Sequence, residues 1–500
     1  MDLSKTMRTI FLWSAVLTAT AWGGVAKSTS GIAVAERANA NASLAAEGRF
    51  AAIAWGASTK DGVTDIYLTT SRDGGRAFGA PTRVNLVAGE ANLSGEQPPR
   101  VSLIHRTGRD PAIVVVWTAK STSGTRLWSA RSDDWGASFV SPALVPGSDA
   151  PGNRGWESIA TSDGRSVVAL WLDHRELSNA ASEAAATSHA GHQHGSAAAG
   201  QTDGAARAQL SKLFFGRLDD ATRTRAVAEG VCYCCKTSIA TGSDGRIYAA
   251  WRHVYPGNVR DIAFAMSADG GRAFSAPVRV SEDNWVLDGC PENGPALAVD
   301  DRQRIHIVWT TLVPGGTAGG ETTLALFYAT SADGQHFTTR QRVPTLGVPR
   351  HPQIAVGLRG EITVAWDEQA GGTRRVALGR GTLDASGVVS LARQTIVDAA
   401  PATYPVLGLV EDGMVVAWTS GPSGQTVIRV ERLQSRAGPF RPGQHRVRNP
   451  RPVTDSTTSQ SCGKYILQSS NRRLSRVRRG GDERLEVLRA WNSDFSARAV

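Results

Sequence analysis

The stretch "RIYAAWRHVYPGNVRDIAFAMSADGGRAFSAPVRV", residues 246–280, decides the fold. It contains a short apolar run ending at Trp251, a second run ending at Ser267, a tight Gly-rich turn, and a third run after Phe274. Short apolar runs rich in β-branched and aromatic residues, broken by Gly, Asn and Asp, read as strands joined by turns. Each part recurs. The turn "SADGGRAF" returns as "SRDGGRAF" from Ser71, as "SDDWGASF" from Ser132 and, shortened, as "SADGQHF" from Ser331. The first strand returns as "RFAAIAW", "AIVVVW", "SVVALW", "RIHIVW", "EITVAW" and "GMVVAW". The closing residues are Trp55, Trp117, Trp171, Trp251, Trp309, Trp366 and Trp418, at intervals of 62, 54, 80, 58, 57 and 52. Near-constant spacing with one enlarged interval means copies of one supersecondary unit.

Each unit reads as four strands: an apolar one such as "PALAVD", the Trp strand after an Asp-Gly type turn, a third such as "DIAFAMS", and a fourth such as "FSAPVRV". No segment of the body carries a helical period. Four antiparallel strands per unit, repeated radially, predict an all-β β-propeller, with seven blades favoured over six. The seventh unit lacks its fourth strand, and "SGIAVAER", residues 30–37, is placed to supply it and close the ring.

The ends differ from this body. A basic start, "MDLSKTMR", precedes the apolar "TIFLWSAVLTATAWGGVA" and a run of small residues, the pattern of a secretory signal peptide over 1–35 with cleavage after Ala21 or Ala35. The alternative is an uncleaved anchor, as the run approaches spanning length. The expected location is secreted or periplasmic, with no transmembrane anchor after cleavage. Of the net charge of +10, a surplus of nine falls in residues 435–500, and the rest of the chain holds 41 basic and 40 acidic residues. A neutral body argues against a nucleic-acid partner. The basic tail, 435–500, reads as disordered, with contact to a polyanion or membrane surface as the alternative. The propeller is expected over 36–434, with a flexible Ala/Gly-rich insertion at 178–208.

The repeated turn resembles the Asp box of sialidases, Ser-x-Asp-x-Gly-x-x-Phe/Trp. The resemblance spans roughly residues 45–434. It implies a turn fixed by Ser and Asp side chains bonding backbone amides, with Gly supplying the backbone angles, on the face of the ring opposite the ligand. The chain departs from the sialidase pattern in lacking its Arg-Ile-Pro motif and in counting seven units.

The ligand face is then the one onto which the first strands open and the Trp strands lead. Its loops include "QPPRVSL" with Arg100, "NRGWESIA" with Arg154, Trp156 and Glu157, "VPRHPQIA" with Arg350 and His351, and "PATYPVLG" with Tyr404. After the Trp strands come "LDHRE" with Asp173, "WRHVY" with Arg252, and "WDEQ" with Asp367 and Glu368. The sialidase resemblance implies roles for these. Tyr404 would be the nucleophile, since a carboxylate would be repelled by the substrate's own carboxylate. Glu157 would activate it, Asp173 would serve as acid/base, and Arg100, Arg154, Arg252 and Arg350 would grip the substrate carboxylate, with Trp156 and His351 beside them. The expected partner is an acidic glycan or glycoconjugate, with no cofactor required.

Cys232, Cys234, Cys235 and Cys290 occupy entrance loops of neighbouring units, so they are expected close together, as disulfides or as a metal site for copper or zinc. Sequence does not choose the pairing. His189, His192 and His194 in the insertion are weak candidate ligands for the same metals; an incidental low-complexity loop is the plainer reading. Three function classes follow: a sialidase-like glycoside hydrolase, a non-catalytic glycan- or protein-binding propeller, and a metal-handling exported protein.

Overall fold

The computed structural model describes residues 30–180, 203–314, 322–396, 398 and 400–434. They form seven four-stranded antiparallel sheets. Blades one to seven span 38–83, 100–144, 154–229, 238–279, 296–342, 348–395 and 402–434. Blade four shows the plan: Ser238–Thr241 pairs with Ile247–Arg252, that strand with Ile262–Ser267, and the last with Val278–Arg279. Blade seven has three strands of its own, and Ser30–Ile32 adds the fourth, Ser30 opposite Val430 and Ile32 opposite Ile428. The ring therefore closes as the sequence leads one to expect. Its first described strand, Ser30–Ile32, lies ahead of the expected boundary at residue 36. A cut after Ala35 would remove the closing strand, whereas one after Ala21 would leave it.

Apolar side chains are distributed between blades, with seven buried clusters filling the seven gaps. Each repeat Trp is at most 1% exposed and fills the gap to the preceding blade: Trp117 packs with Ala52 and Leu68 of blade one, Trp251 with Leu170 and Phe215 of blade three. A buried indole N–H needs an acceptor. Six blades provide one: Asn39 for Trp55, Asp173 for Trp171, His253 for Trp251, Asp283 for Trp309, Glu368 for Trp366 and Asp398 for Trp418.

The Asp boxes hold the ring together from the face opposite the site. In blade one Ser71 Oγ accepts from Gly75 N at 2.9 Å, and Asp73 Oδ1 accepts from Arg76 N and Ala77 N. Gly74 N donates to Arg49 O in the turn joining the first two strands, which fixes the face. Gly75 has φ 81°, and a Cβ there would sit 2.2 Å from Val415 of blade seven; at Gly271 it would sit 2.1 Å from Phe215 of blade three. The Gly thus lets one blade's turn lie against its neighbour, and Phe274 packs on Phe215 beside it at 5.2 Å. The box aromatic thus belongs to the joint between blades.

The enlarged interval is an excursion from blade three. Among the described residues it carries two short helices, Arg175–Ala180 and Asp203–Leu210, where no helix is expected from the sequence. Ala, Arg, Gln and Leu are good helix formers, and Ala208 is buried against the cysteine loop, so packing orders a segment whose composition reads as loop. His189, His192 and His194, and the tail 435–500, lie outside the described residues. Among the described residues no helix is long and apolar enough to cross a membrane.

Candidate functional site

Four innermost strands open with the same irregularity. The register shifts between Ala40 and Ser43, Gly155 and Ser158, Arg350 and Gln353, and Thr403 and Val406. Within each shift one non-Gly residue is left-handed: Asn41 at φ 60°, Trp156 at 53°, His351 at 51° and Tyr404 at 53°. Such backbone costs on the order of 1 kcal/mol per residue and marks a bulge that re-aims a side chain. Pairing to the Trp strands makes Lys236 their equivalent in blade four.

Below these residues the innermost strands enclose an axial cavity of about 190 Å³, lined by Ser43, Arg100, Ser158, Ser238, Ala296, Gln353 and Val406 among others. Above it lies a second space of about 10 Å³, the size of one water. Gly95, Glu96, Arg100, Lys236, His351 and Tyr404 border it. A Cβ at Gly95 would fall 2.0 Å from Tyr404 Oη, so the phenol lies directly on that backbone.

The buried Asp367 carboxylate organises one side of this space. Its Oδ1 accepts from His351 Nδ1 at 2.6 Å and from Tyr404 N at 3.1 Å, and Oδ2 pairs with Arg374 at 2.7 Å. Burial pushes its carboxyl upward, but His351 and Arg374 together outweigh that and hold it below its ordinary value. With Nδ1 committed to Asp367, Nε2 is the imidazole nitrogen left for chemistry. The His351 and Tyr404 rings lie 3.9 Å apart, centre to centre. Burial, then the charges of Glu96 and Asp367, push the Tyr404 hydroxyl well above the ordinary phenol value.

Charged groups complete the other side. Glu96 Oε2 accepts from Lys236 N at 3.0 Å and Gly294 N at 2.8 Å, while Oε1 has no hydrogen-bond partner among the described residues. Lys236 Nζ donates to Pro352 O at 2.9 Å; burial brings its ammonium down to about 8, against the opposing charge of Glu96. Arg100 Nε donates to Glu157 O at 2.6 Å, and its Nη2 has no partner among the described residues. A buried group with unused hydrogen-bonding capacity beside a polar space is a binding-site feature.

Several candidates from the sequence have other work. Asp173 is sealed under Arg154 at 3.1 Å and Arg175 at 2.7 Å, and accepts the Trp171 indole N–H at 3.3 Å. Burial raises its carboxyl, but Arg175 and Arg154 hold it below the usual range, which suits a fixed anion and not a proton donor. Strand alternation explains this contact: Trp171 and Asp173 share a face, so the second residue after the Trp caps the indole. Arg154 directs Nε to Asp173 and Nη1 to the Gly152 carbonyl, which holds it between the strands, while its Nη2 has no partner among the described residues; it does not line the axial space. Glu157 lies fully buried between blades two and three, where it accepts from Thr118 Oγ1 at 3.1 Å. Burial pushes it up to about 7, with Arg100 pulling the other way; it does not line the small space that Tyr404 borders, whereas Glu96 does. Arg252 donates to the carbonyls of Asn293, Arg260 and Thr310, tying blade four to blade five. Arg350 is half-buried opposite Asp367 in the strand pair. Trp156 is half-buried against His174, 5.3 Å between rings. Of the four arginines, only Arg100 lines the axial space.

Arg252 allows the two roles to be separated. Arg252→Ala leaves three buried carbonyls without their donor and is expected to cost about 3 kcal/mol. A melting temperature unchanged in that variant would return Arg252 to the ligand-binding set.

The cysteines do meet. Cys234 and Cys290 form a disulfide with Cα atoms 6.1 Å apart, joining the entrance loops of blades four and five. Cys232 and Cys235 are buried thiols, with the Cys232 sulfur 3.6 Å from that of Cys235 and 3.8 Å from that of Cys234. Hydrogen bonding from Cys235, then Arg260 and Arg252, holds the Cys232 thiol below its ordinary value despite burial.

The sequence candidates do not include Glu96 and Lys236. A signal for Lys236 was present: it stands 15 residues before Trp251, as His351 and Trp156 stand 15 before their own tryptophans and Tyr404 stands 14 before Trp418. Glu96 lies in a longer entrance loop and no such count reaches it.

Fold and site together define a seven-bladed propeller with a polar, charged axial mouth. No family model matches the chain, and no curated protein matches it. Among solved structures it is similar to a Dyadobacter fermentans protein of unknown function, with 13% identity, a TM-score of 0.45 and coverage of 82% of this chain and 98% of that one. An ulvan lyase matches at 11% identity, TM-score 0.49, over 81% and 96%. A Trypanosoma rangeli sialidase matches at 12% identity, TM-score 0.39, over 79% and 54%. Likeness at this level concerns the propeller architecture alone.

Proposed function

We propose that this chain is a glycan-active propeller that takes an acidic sugar at the axial mouth, in an exported protein. The observation that carries this reading is the Asp367–His351–Tyr404 stack facing Lys236, Arg100 and Glu96 across one small space. Lys236 and Arg100 supply positive charge for a sugar carboxylate. Asp367 orients the imidazole so that Nε2 can move a proton, and the Tyr404 hydroxyl beside it is a second proton donor or acceptor. Lys236→Ala should raise KM more than it lowers kcat. The Tyr404→Phe and His351→Ala variants should lose about a hundredfold or more in kcat.

A second reading, sialidase-type hydrolysis, has one specific point in its favour. The free oxygen of Glu96 borders the cavity that Tyr404 borders, so a Tyr nucleophile would have an acidic partner. The test is a panel of fluorogenic sialosides and uronate-containing polysaccharides, assayed for released aglycone, new reducing ends and unsaturated uronate. Sialoside cleavage abolished by both Tyr404→Phe and Glu96→Gln selects the second reading. Binding of acidic glycans without turnover makes the propeller a lectin-like module. No binding and no turnover on the whole panel ends the glycan proposal.

A further inference from the structure

The four cysteines near the mouth take no part in that chemistry, and their arrangement suggests a site of its own. Cys232 and Cys235 have the C-x-x-C spacing of a metal knuckle, and Cys234 stands between them. The sulfurs of Cys232, Cys234 and Cys235 all lie within 4.8 Å of one another. Cys290 reaches the same point from blade five and is bonded to Cys234. A tetrahedral ion with metal–sulfur bonds of about 2.3 Å needs sulfurs about 3.8 Å apart. The Cys232 sulfur is 3.8 Å from Cys234 and 3.6 Å from Cys235.

The surroundings fit a metal–thiolate centre. Four thiolates around a divalent cation carry a net charge of −2, which is costly to bury unpaired. Two buried guanidiniums stand by. Arg260 Nη1 donates to the Cys232 sulfur at 3.2 Å, and Arg252, whose carbonyl accepts from Cys232 N at 2.9 Å, is beside it. An N–H donor to a ligating sulfur is a usual outer-shell contact. Ala208, Val254 and Trp156 pack against the cluster, in which Cys232, Cys234 and Cys235 are buried and Cys290 is half-buried.

We infer that in the thiol form Cys232, Cys234, Cys235 and Cys290 bind one zinc-class divalent d10 cation in a tetrahedral four-sulfur site that staples blade four to blade five. Reduction of the Cys234–Cys290 bond by a phosphine takes two electrons from phosphorus and two protons from water, giving two thiols and the phosphine oxide. Binding one divalent ion then releases the protons of all four thiols. The site is therefore formed by reducing protein and lost on oxidation. This inference is independent of the proposed glycan chemistry.

The test uses the full chain with Cys462→Ser, so that only these four thiols remain. The protein is reduced anaerobically with a phosphine and titrated with Co²⁺ as a spectroscopic substitute. The expected result is thiolate-to-cobalt charge transfer with tetrahedral ligand-field bands, saturating at one equivalent and bleached by one equivalent of Zn²⁺. Cys232→Ser and Cys290→Ser should each lose this spectrum, and the triple His189→Ala, His192→Ala, His194→Ala variant should keep it. Should a serine variant fail to fold, protection against alkylation in the parent protein decides: zinc must shield four thiols. Absence of charge-transfer bands, zinc protection of fewer than four thiols, or binding of copper(I) with no binding of cobalt or zinc overturns the assignment.

Discussion

Asp367→Asn is expected to lower the stability of the ring by about 3 kcal/mol at neutral pH, the usual cost of removing one member of a buried ion pair. Asp367 is fully buried and serves three donors at once: His351, Arg374 and the Tyr404 amide. The amide side chain keeps the shape but not the charge, so Arg374 is left facing a neutral group. For a ring of roughly 400 residues this is a fall of about 4 °C in melting temperature. The pH dependence carries the sign. The folded carboxyl lies below its ordinary value, so the unfolded chain binds the proton more readily. The stabilisation is complete above the unfolded value of about 3.9 and is lost as pH falls through the lower, folded value. The gap between parent and variant should thus be constant from neutral pH down to about 5 and close below about 4. A gap that persists unchanged into strong acid would mean that the charge of Asp367 is not what stabilises the fold. If His351 is the reacting imidazole, the same variant should also lose about 10³-fold or more in turnover, because the ring is no longer held by a carboxylate.

The architecture was legible because its determinants are local and repeated. A Trp at near-constant spacing, a Gly-rich turn with its Ser and Asp, and a stray strand at 30–37 together specify seven blades and their closure. The two faces were legible too, since strand order alone puts the entrance loops at one end and the Asp boxes at the other. What the sequence left open was which contacts each polar side chain on the entrance face makes. On a strand, neighbouring residues point to opposite sides. Trp171-Leu172-Asp173 and Trp366-Asp367-Glu368 look alike as text, yet Asp173 and Glu368 cap indoles while Asp367 reaches the next blade's entrance. The same rule carries Thr118 to Glu157 and Arg252 to Asn293, so residues that read as a substrate clamp are latches between blades. Which of two adjacent polar residues faces a ligand depends on register, and register is set by pairing across the sheet. Glu96 was out of reach for a further reason: its partners, Lys236 and Gly294, come from blades four and five, far from it in the chain.

Breaking the Cys234–Cys290 bond in the presence of a chelator is expected to remove about 4 kcal/mol by the chain-entropy model. The two residues are 56 apart in sequence and belong to successive blades, so in the unfolded chain the bond closes a long loop that reduction sets free. In the folded ring those entrance loops are already held by other contacts. Arg252, whose carbonyl accepts from Cys232 N, donates to Asn293 O, and Glu96 binds Lys236 N on one loop and Gly294 N on the other. Reduction should therefore act mainly on the unfolded state and leave the native spectrum unchanged. Across roughly 400 residues the loss corresponds to about 5 °C in melting temperature. Cys290→Ser should reproduce the shift under oxidising conditions, and adding a reductant to that variant should cause no further fall. Peptide mapping without reductant should find Cys234 joined to Cys290, with Cys232 and Cys235 alkylated as free thiols once the chain is unfolded. A bond from Cys290 to Cys232 or Cys235 in the map, or an unaltered melting temperature after complete reduction with the chelator present, would show that this bridge is not what secures blade four to blade five.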